Sequence, residues 1–416
     1  MSPGPDKTAI VIGGSISGLI VALLLRRHGW SVDVFERVES ELAGRGAGIV
    51  THPDLFAVLR EAGIDIPPDL GVAVESRCVF ARDGSVEARR QHPQILTSWD
   101  RLYQELRSRI PDDRYHKGRH VVGIAQEGAV AVAGFADGSH AEADLLVGAD
   151  GLRSAVRAQY FPASQPAYVG YIAWRGLVDE ARIATDLRAD LFRTFAFSLP
   201  DGEQMLGYPV AGPGNDTRVG HRRYNWVWYR PANTAVLAEL LRDAAGTVHD
   251  ISIPPPLIRS EVVAAMRDAA GRVLSPQFAA LVDLTVQPFF QPIYDLETPR
   301  MAIGRVALIG DAAFVARPHV GAGVTKAARD AFSLVTALQS GDGDVESSLL
   351  AFESERSAEG RRIIARARHL GAYMQAQIDT PEERRNAAQF RTPEAVMRDT
   401  ASLDFLQVQD VLPAMN

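Results

Sequence analysis

Cysteine is nearly missing: Cys78 stands alone in 416 residues. That excludes an internal disulfide framework and a metal site built on cysteines, and it suits a reducing compartment. Cys78 itself reads as a small buried hydrophobe in a strand. A surplus of basic charge is missing too. Forty-four Lys and Arg face 51 Asp and Glu, for a net charge of −7. A chain that binds nucleic acid wants a basic face, so nucleic acid is not an expected partner. No apolar run reaches the ~18 residues that cross a bilayer. The opening MSPGPDKTAIVIGG lacks the charged-then-apolar layout of a signal peptide. Internal repeats and low-complexity segments are absent. No metal site is expected, because no metal-ligand spacing such as H-x-x-x-H is picked out among the histidines. The expectation is a cytoplasmic protein that meets no membrane; monomer and homodimer both stay open.

What is present is a pattern of buried strands and helices. TAIVIGG (8–14) reads as a buried parallel strand ending in glycines. SGLIVALLLRRHG (17–29) reads as a helix closed by Gly29, and SVDVFER (31–37) as the next strand. Together they form one βαβ unit. Segment 73–92 reads as a hairpin around Asp83-Gly84. Short strands follow over 119–149, and from 166 to 290 aromatic-rich strands suit one antiparallel sheet. GRVALIGDA returns to a parallel-type strand, the pattern from 321 onward is helical, and the last ~25 residues are weakly patterned. Nucleotide-domain strands at 8–14, 31–37, 144–149 and 305–310 are thus interrupted by sheet-domain strands. The fold class is α/β with α+β elements. A discontinuous Rossmann-like domain (1–72, 93–165 and 291–340) alternates with a mostly antiparallel sheet domain (73–92 and 166–290), and a helical segment (341–416) ends the chain.

The motif that carries chemistry first is Gly13-x-Ser15-x-x-Gly18, spanning Ile16 and Ser17. Glycine lets a backbone approach a pyrophosphate, and the following helix N-terminus binds the anion. Ser15 replaces the usual second glycine, and its hydroxyl can itself donate to phosphate. Glu36 ends the next strand 23 positions after Gly13, where an acidic residue accepts from ribose hydroxyls. There is one such fingerprint, so two dinucleotides held in two Rossmann sites are not expected. LLVGADGLRSAVR (145–157) then puts Asp150 after a buried strand, and RVALIGDAA (305–313) does the same with Asp311. One long dinucleotide would lie across these three turns.

With GGSISG, GRGAGI (44–49), GADGLRSAVR, GDAAFVARPHVGAG and DAFSL (330–334) in this order, the chain resembles the para-hydroxybenzoate hydroxylase-like, single-component FAD-dependent monooxygenases over nearly its whole length. It is also similar to their 2,6-dihydroxypyridine 3-hydroxylase branch at TSWD (97–100), WRG (174–176), YPV (208–210), WVWY (226–229) and RPH (317–319). The resemblance implies that the Rossmann-like domain binds FAD and the sheet domain binds substrate. Gly13, Ser15, Ile16, Ser17, Gly18, Glu36 and Arg37 would hold the ADP half, and Arg45 would reach the phosphates. Gly48 would lie along the flavin, Asp150 near the pyrophosphate and Asp311 on the ribityl hydroxyls. Gly321, Ala322, Gly323 and Val324 would set helix-start amides under the flavin, where the helix dipole favours negative charge. Trp99 and Phe314 stand where most relatives carry Arg and His, and Arg101 is the substitute expected for the former.

The implied reaction uses NADPH or NADH and O2. A flavin hydroperoxide would pass one oxygen to an electron-rich aromatic or N-heterocyclic small molecule. Baeyer–Villiger oxidation or epoxidation would use the same chemistry, and a flavin-binding regulator without turnover is the alternative of another class. His319 and His52 are the candidates for deprotonating a ring hydroxyl, with Pro318 beside the flavin turn. The sheet aromatics Tyr171, Trp174, Tyr208, Tyr224, Trp226 and Trp228 alternate, so half lie on each face. Tyr208, Trp226, Tyr171 and Arg175 are the substrate candidates. For Arg175 an ion pair with an acidic neighbour is expected ahead of an anionic substrate.

Overall fold

The computed structural model describes residues 7–42, 48–67, 69–341 and 343–407. Its nucleotide layer is a six-stranded sheet. Thr8–Ile12 lies at its centre, parallel to both Ser31–Phe35 and Leu145–Gly148, and Val306–Leu308 continues the parallel run. These strands are rich in Val, Ile, Leu and Ala because they are covered on both sides, by helices and by a small three-stranded sheet whose Ile124, Ala131, Ala133 and Phe135 share the same core. The helix Ile16–Arg27 follows the first strand, and the helix Gly323–Ser340 packs against it. Three strands segregated from this sheet, Val121–Glu127, Val130–Phe135 and His140–Ala143, form a small antiparallel sheet.

The second layer is a nine-stranded sheet. Ala167–Asp179, Arg223–Pro231 and Gln204–Val210 are neighbours in antiparallel register, with Arg175 opposite Val227 and Tyr208 opposite Asn225. Thr194–Ser198 runs parallel to Val72–Phe80, so the sheet is mixed at that point. Alternation along these strands sorts the aromatics. Trp174, Tyr224, Trp226 and Trp228 face the helices Ser260–Val273 and Pro276–Leu284 in one core. Tyr171, Tyr208, Val227 and Tyr229 share the other face with Phe195 and Leu206.

Strands cross the boundaries read from sequence. Val86–Ser98 is one strand of the large sheet through position 93, and Phe289–Glu297 crosses 291. Gly48–Val50 and Phe314–Val315 form the two edges of that sheet. Segments expected in the nucleotide domain thus supply strands of the large sheet. After the long helix Val345–Gly371 come Pro381–Phe390 and Pro393–Asp399. Of the weakly patterned end, the described part packs closely at Val396, Met397 and Ala401, which are buried. Among the described residues no helix is long and apolar enough to cross a membrane.

Candidate active site

Three turns follow the three neighbouring parallel strands on one edge of the nucleotide sheet. In the first, the turn is so tight that a Cβ at Gly18 would lie 1.9 Å from the Gly13 carbonyl oxygen. Ser15 stands at the N-cap of the helix without a side-chain cap bond, and Ser17 Oγ is buried without a partner. Glu36 reaches back to this turn: its Oε2 accepts from the Gly14 amide at 2.9 Å and its Oε1 from the Val38 amide at 2.8 Å. In the second turn Asp150 Oδ2 accepts from the Ala155 and Val156 amides at 2.7 and 3.3 Å, while Oδ1 is buried and unpartnered. Burial raises the Asp150 pKa. Half of this carboxylate thus serves as a helix cap, a use the motif did not announce. Arg157 ties the second turn to the third by donating to Leu152 O at 2.5 Å and Ala312 O at 3.1 Å. Gly13, Glu36, Arg37, Asp150 and Arg153 line a cavity of about 90 Å³ at one end of this row of turns.

At the other end lies a cavity of about 270 Å³. The third turn contributes Asp311, and the next segment contributes Pro318 and Gly321 to Val324. Gly321 is left-handed (φ +62°), and a Cβ there would meet the Ala401 Cβ at 2.9 Å. The helix Gly323–Ser340 has no side-chain cap, so its first amides are free where it borders the cavity. Lys326, in its first turn, is buried to 2 % exposure. Its Nζ has no hydrogen bond and sits 3.9 Å from both Asp311 Oδ1 and Asp330 Oδ2. Lys326 was not singled out in the sequence; the signal was a lysine inside the apolar helix start GVTKAA. Burial raises the Asp311 pKa, and Lys326 opposes that rise.

The large sheet closes the same cavity with Arg175, Phe195, Leu206, Tyr208, Val227 and Tyr229, and Gly48 to Val50 add an edge. Phe195 stacks on Tyr208 at 4.9 Å between centroids. Burial raises the Tyr208 pKa and pushes Tyr229 up to about 12, with the Arg175 charge opposing both. Both phenols therefore stay protonated at neutral pH. The ion pair expected for Arg175 is not formed. Among the described residues no carboxylate pairs with its guanidinium, and its Nε is buried without a partner.

Several candidates lie elsewhere. His319 is 1 % exposed and does not line the cavity. Its Nε2 is 2.7 Å from the Tyr171 hydroxyl, its ring packs edge-on against Tyr229, and burial followed by the Arg317 charge brings its pKa down to about 3. Tyr171 is fully buried behind the cavity wall with it. Trp226 points to the opposite core, where its Nε1 donates to Thr285 Oγ1 at 2.8 Å. His52 caps no helix amide, bonds Gly321 O through Nε2 at 3.2 Å, and faces a second cavity of about 570 Å³. Arg45 lies outside the described residues. Arg101 pairs with Asp69 and Glu105 instead of reaching the turns, Trp99 stacks on Tyr103, and Phe314 packs against Gly360. His116 and His120 do stand at H-x-x-x-H spacing, but His116 Nε2 bonds Asp33 at 2.7 Å. Among the described residues no three His, Cys, Asp or Glu side chains gather as a metal would need.

Two FAD-binding families match the chain, an FAD binding domain-like one over residues 168–295 and an FAD binding domain over 292–367. The chain is 34 % identical over 385 residues to 2,6-dihydroxypyridine 3-monooxygenase of Paenarthrobacter nicotinovorans, covering 90 % of this chain and 93 % of that one. It belongs to the FAD-dependent monooxygenases. The solved 2,6-dihydroxypyridine-3-hydroxylase from Arthrobacter nicotinovorans superposes with a TM-score of 0.83 at 30 % identity, over 91 % of this chain and 96 % of that one. The FAD-dependent urate hydroxylase of Klebsiella pneumoniae is 28 % identical over 86 % of this chain and 88 % of its own. A Klebsiella pneumoniae protein solved with FAD and uric acid shares the fold, with a TM-score of 0.75 at 22 % identity over 94 % and 95 % of the two chains.

For a flavin monooxygenase the residues present fit the cofactor. The buried polar atoms without protein partners along the row of turns include hydroxyls (Ser17, Thr325), a carboxylate oxygen (Asp150) and an ammonium (Lys326). Such atoms are costly to bury unless something bonds them. The free helix-start amides and Lys326 suit the electron-rich edge of a flavin.

Proposed function

We propose that this monooxygenase hydroxylates a small, electron-rich N-heterocycle or phenol that it binds as an anion. The observation that carries the reading is Arg175, which no carboxylate pairs among the described residues and which stands on the wall of an aromatic cavity that also holds the flavin-facing turn. The hydroxypyridine and urate relatives support the ring class. FAD, reduced by NADPH or NADH, supplies the activation of O2. The chain does the rest. Arg175 holds a ring oxyanion and so keeps the ring electron-rich. The Tyr208 and Tyr229 hydroxyls, with no hydrogen-bond partner among the described residues, are donors to ring oxygen or nitrogen. Phe195, Leu206, Val227 and Ile49 exclude water. Pro318 and Gly321 to Val324 set the flavin side, His319 supports that turn from behind, and His52 fixes Gly321 through its carbonyl. At about 270 Å³ the cavity is at the small end of ligand pockets. A cytoplasmic setting accords with the reduced nicotinamide nucleotide it would use.

Anaerobic stopped-flow reduction of the holoenzyme by NADPH tests this. With 2,6-dihydroxypyridine or a related ring, flavin bleaching should accelerate by about 10^3-fold, roughly 4 kcal/mol off the barrier. Arg175→Met should weaken ring binding by about 10- to 100-fold, the range for losing a bond to a charged group. Slow bleaching with every hydroxypyridine and phenol, together with an unaffected Arg175→Met, would sink the reading in favour of a carbonyl or alkene substrate.

A further inference from the structure

The wall of the 270 Å³ cavity farthest along the chain is a single turn, Thr400 and Ala401. This turn follows the helix Pro393–Asp399. Its anchor is Arg77, in the middle of the strand Val72–Phe80 and completely buried. A buried arginine ordinarily has a carboxylate partner. Among the described residues Arg77 has none. Its Nη1 donates to Met397 O at 2.9 Å and Thr400 O at 2.5 Å, and its Nη2 to Ala401 O at 3.2 Å and Gln94 Oε1 at 3.0 Å. Met397 O is one of the unsatisfied acceptors in the last turn of the helix, and Thr400 O and Ala401 O belong to the turn after it, so one planar donor fork ties the helix end to that turn. The guanidinium also sits 5.3 Å above the Phe195 ring, and Phe195 lines the cavity.

The turn is held under constraint. Ala401 has φ +53°, a left-handed conformation unfavourable for any residue bearing a Cβ. Its amide donates to His319 O at 2.7 Å, which draws it against Gly321. Ala401 also lines the second cavity, about 570 Å³, together with Thr51, His52, Ser402 and Leu403. Ala401 is thus the residue that the linings of the smaller and the larger cavity share.

We propose that Arg77 is a positioning residue that fixes the Thr400–Ala401 turn as the end wall of the substrate cavity, and that this turn sets the largest ring the enzyme accepts. The claim rests on the reading of that cavity as the substrate site. Loss of the Arg77 fork leaves three carbonyls without donors and frees a strained turn to move into the space behind it. The cavity then lengthens toward the second one. A one-ring ligand loses contacts, and a two-ring ligand gains room.

The test uses holoenzyme as wild type, Arg77→Met, Arg77→Lys and Ala401→Gly. Hydrogen exchange read by mass spectrometry follows the wall directly. Amides over 400–404 should exchange about tenfold faster or more in Arg77→Met, with partial protection regained in Arg77→Lys, while those of the strand Thr8–Ile12 stay unchanged. Flavin absorbance titrations follow the consequence, with 2,6-dihydroxypyridine and 2,4-dihydroxyquinoline as probes. In Arg77→Met the one-ring probe should bind about tenfold more weakly and the two-ring probe should change by less than about twofold. Ala401→Gly keeps every Arg77 bond, removes the partition methyl, and should shift the ratio of the two affinities in the same direction. Equal weakening of both probes, or unchanged exchange over 400–404, overturns the proposal. If Arg77→Met yields no folded holoenzyme, an unchanged ratio in both Ala401→Gly and Arg77→Lys overturns it. If neither probe perturbs the wild-type flavin, the substrate reading has failed and the exchange result alone decides whether Arg77 holds the wall.

Discussion

Acid should weaken this protein through His319, by an amount that follows from where the ring lies. The side chain is 1 % exposed, touches Tyr171 and Tyr229, and leaves Nδ1 without a partner. Burial, with the Arg317 charge second, brings its pKa down to about 3, against about 6.5 in an unfolded chain. The folded form therefore stays neutral while the unfolded form takes up a proton. The stabilising contribution is fully present above about pH 6.5 and is lost as the pH falls from there towards about 3. Between pH 7.5 and pH 5 the loss from this one group is about 2 kcal/mol, a large share of the roughly 5–15 kcal/mol that holds a domain together. His52, His92 and His369 are lowered by burial in the same direction, so the wild-type slope contains more than one histidine. The comparison that isolates His319 is wild type against His319→Gln, whose amide still accepts from the Tyr171 hydroxyl. Urea unfolding at saturating FAD, repeated across that pH range, should show the wild-type advantage shrinking by about 2 kcal/mol towards pH 5. A difference that stays constant to within about 0.5 kcal/mol would refute the neutral, walled-off histidine. It would also reopen His319 as a proton-transfer group.

Two glycine substitutions probe the cofactor turns, alongside the Arg175 and Arg77 experiments. Gly18→Ala forces a methyl to within 1.9 Å of the Gly13 carbonyl oxygen. The purified variant should be folded by circular dichroism and nearly colourless, and a full flavin spectrum would contradict the assigned turn. Gly321→Ala pays for a left-handed φ and a 2.9 Å approach to Ala401 together. It should lose about 1–3 kcal/mol in unfolding experiments, and an unchanged midpoint would show that the turn relaxes freely.

Much of this enzyme was legible one residue at a time. GGSISG with Glu36 is a local signature, since a tight turn, a following helix and an acidic strand end all lie within one βαβ unit. The structure adds that Glu36 also braces the turn through the Gly14 amide. Gly321 to Val324 were named through the family resemblance, and the structure adds that they form a left-handed turn before an uncapped helix. The sheet face was not readable. Alternation says that Tyr208 and Trp226 differ, or agree, only once the register between Gln204–Val210 and Arg223–Pro231 is known, and Gly207 opposite Trp226 puts Tyr208 and Trp226 on opposite faces. The ion pair expected for Arg175 failed because charge partners are chosen by tertiary neighbours, and its neighbours turned out to be tyrosines and a cavity.

By itself, then, the sequence determined a dinucleotide turn, because GGSISG and Glu36 form a short-range device within one βαβ unit, while its resemblance to the flavin monooxygenases carried the family and the expected flavin contacts. Only the tertiary structure decided what surrounds the substrate. Arg175 unpaired by any carboxylate among the described residues, His319 behind the wall and the Arg77 fork on Thr400 and Ala401 all depend on contacts between distant segments, 148 positions apart for Tyr171 and His319 and 323 for Arg77 and Thr400, and no local pattern specifies which distant segments meet.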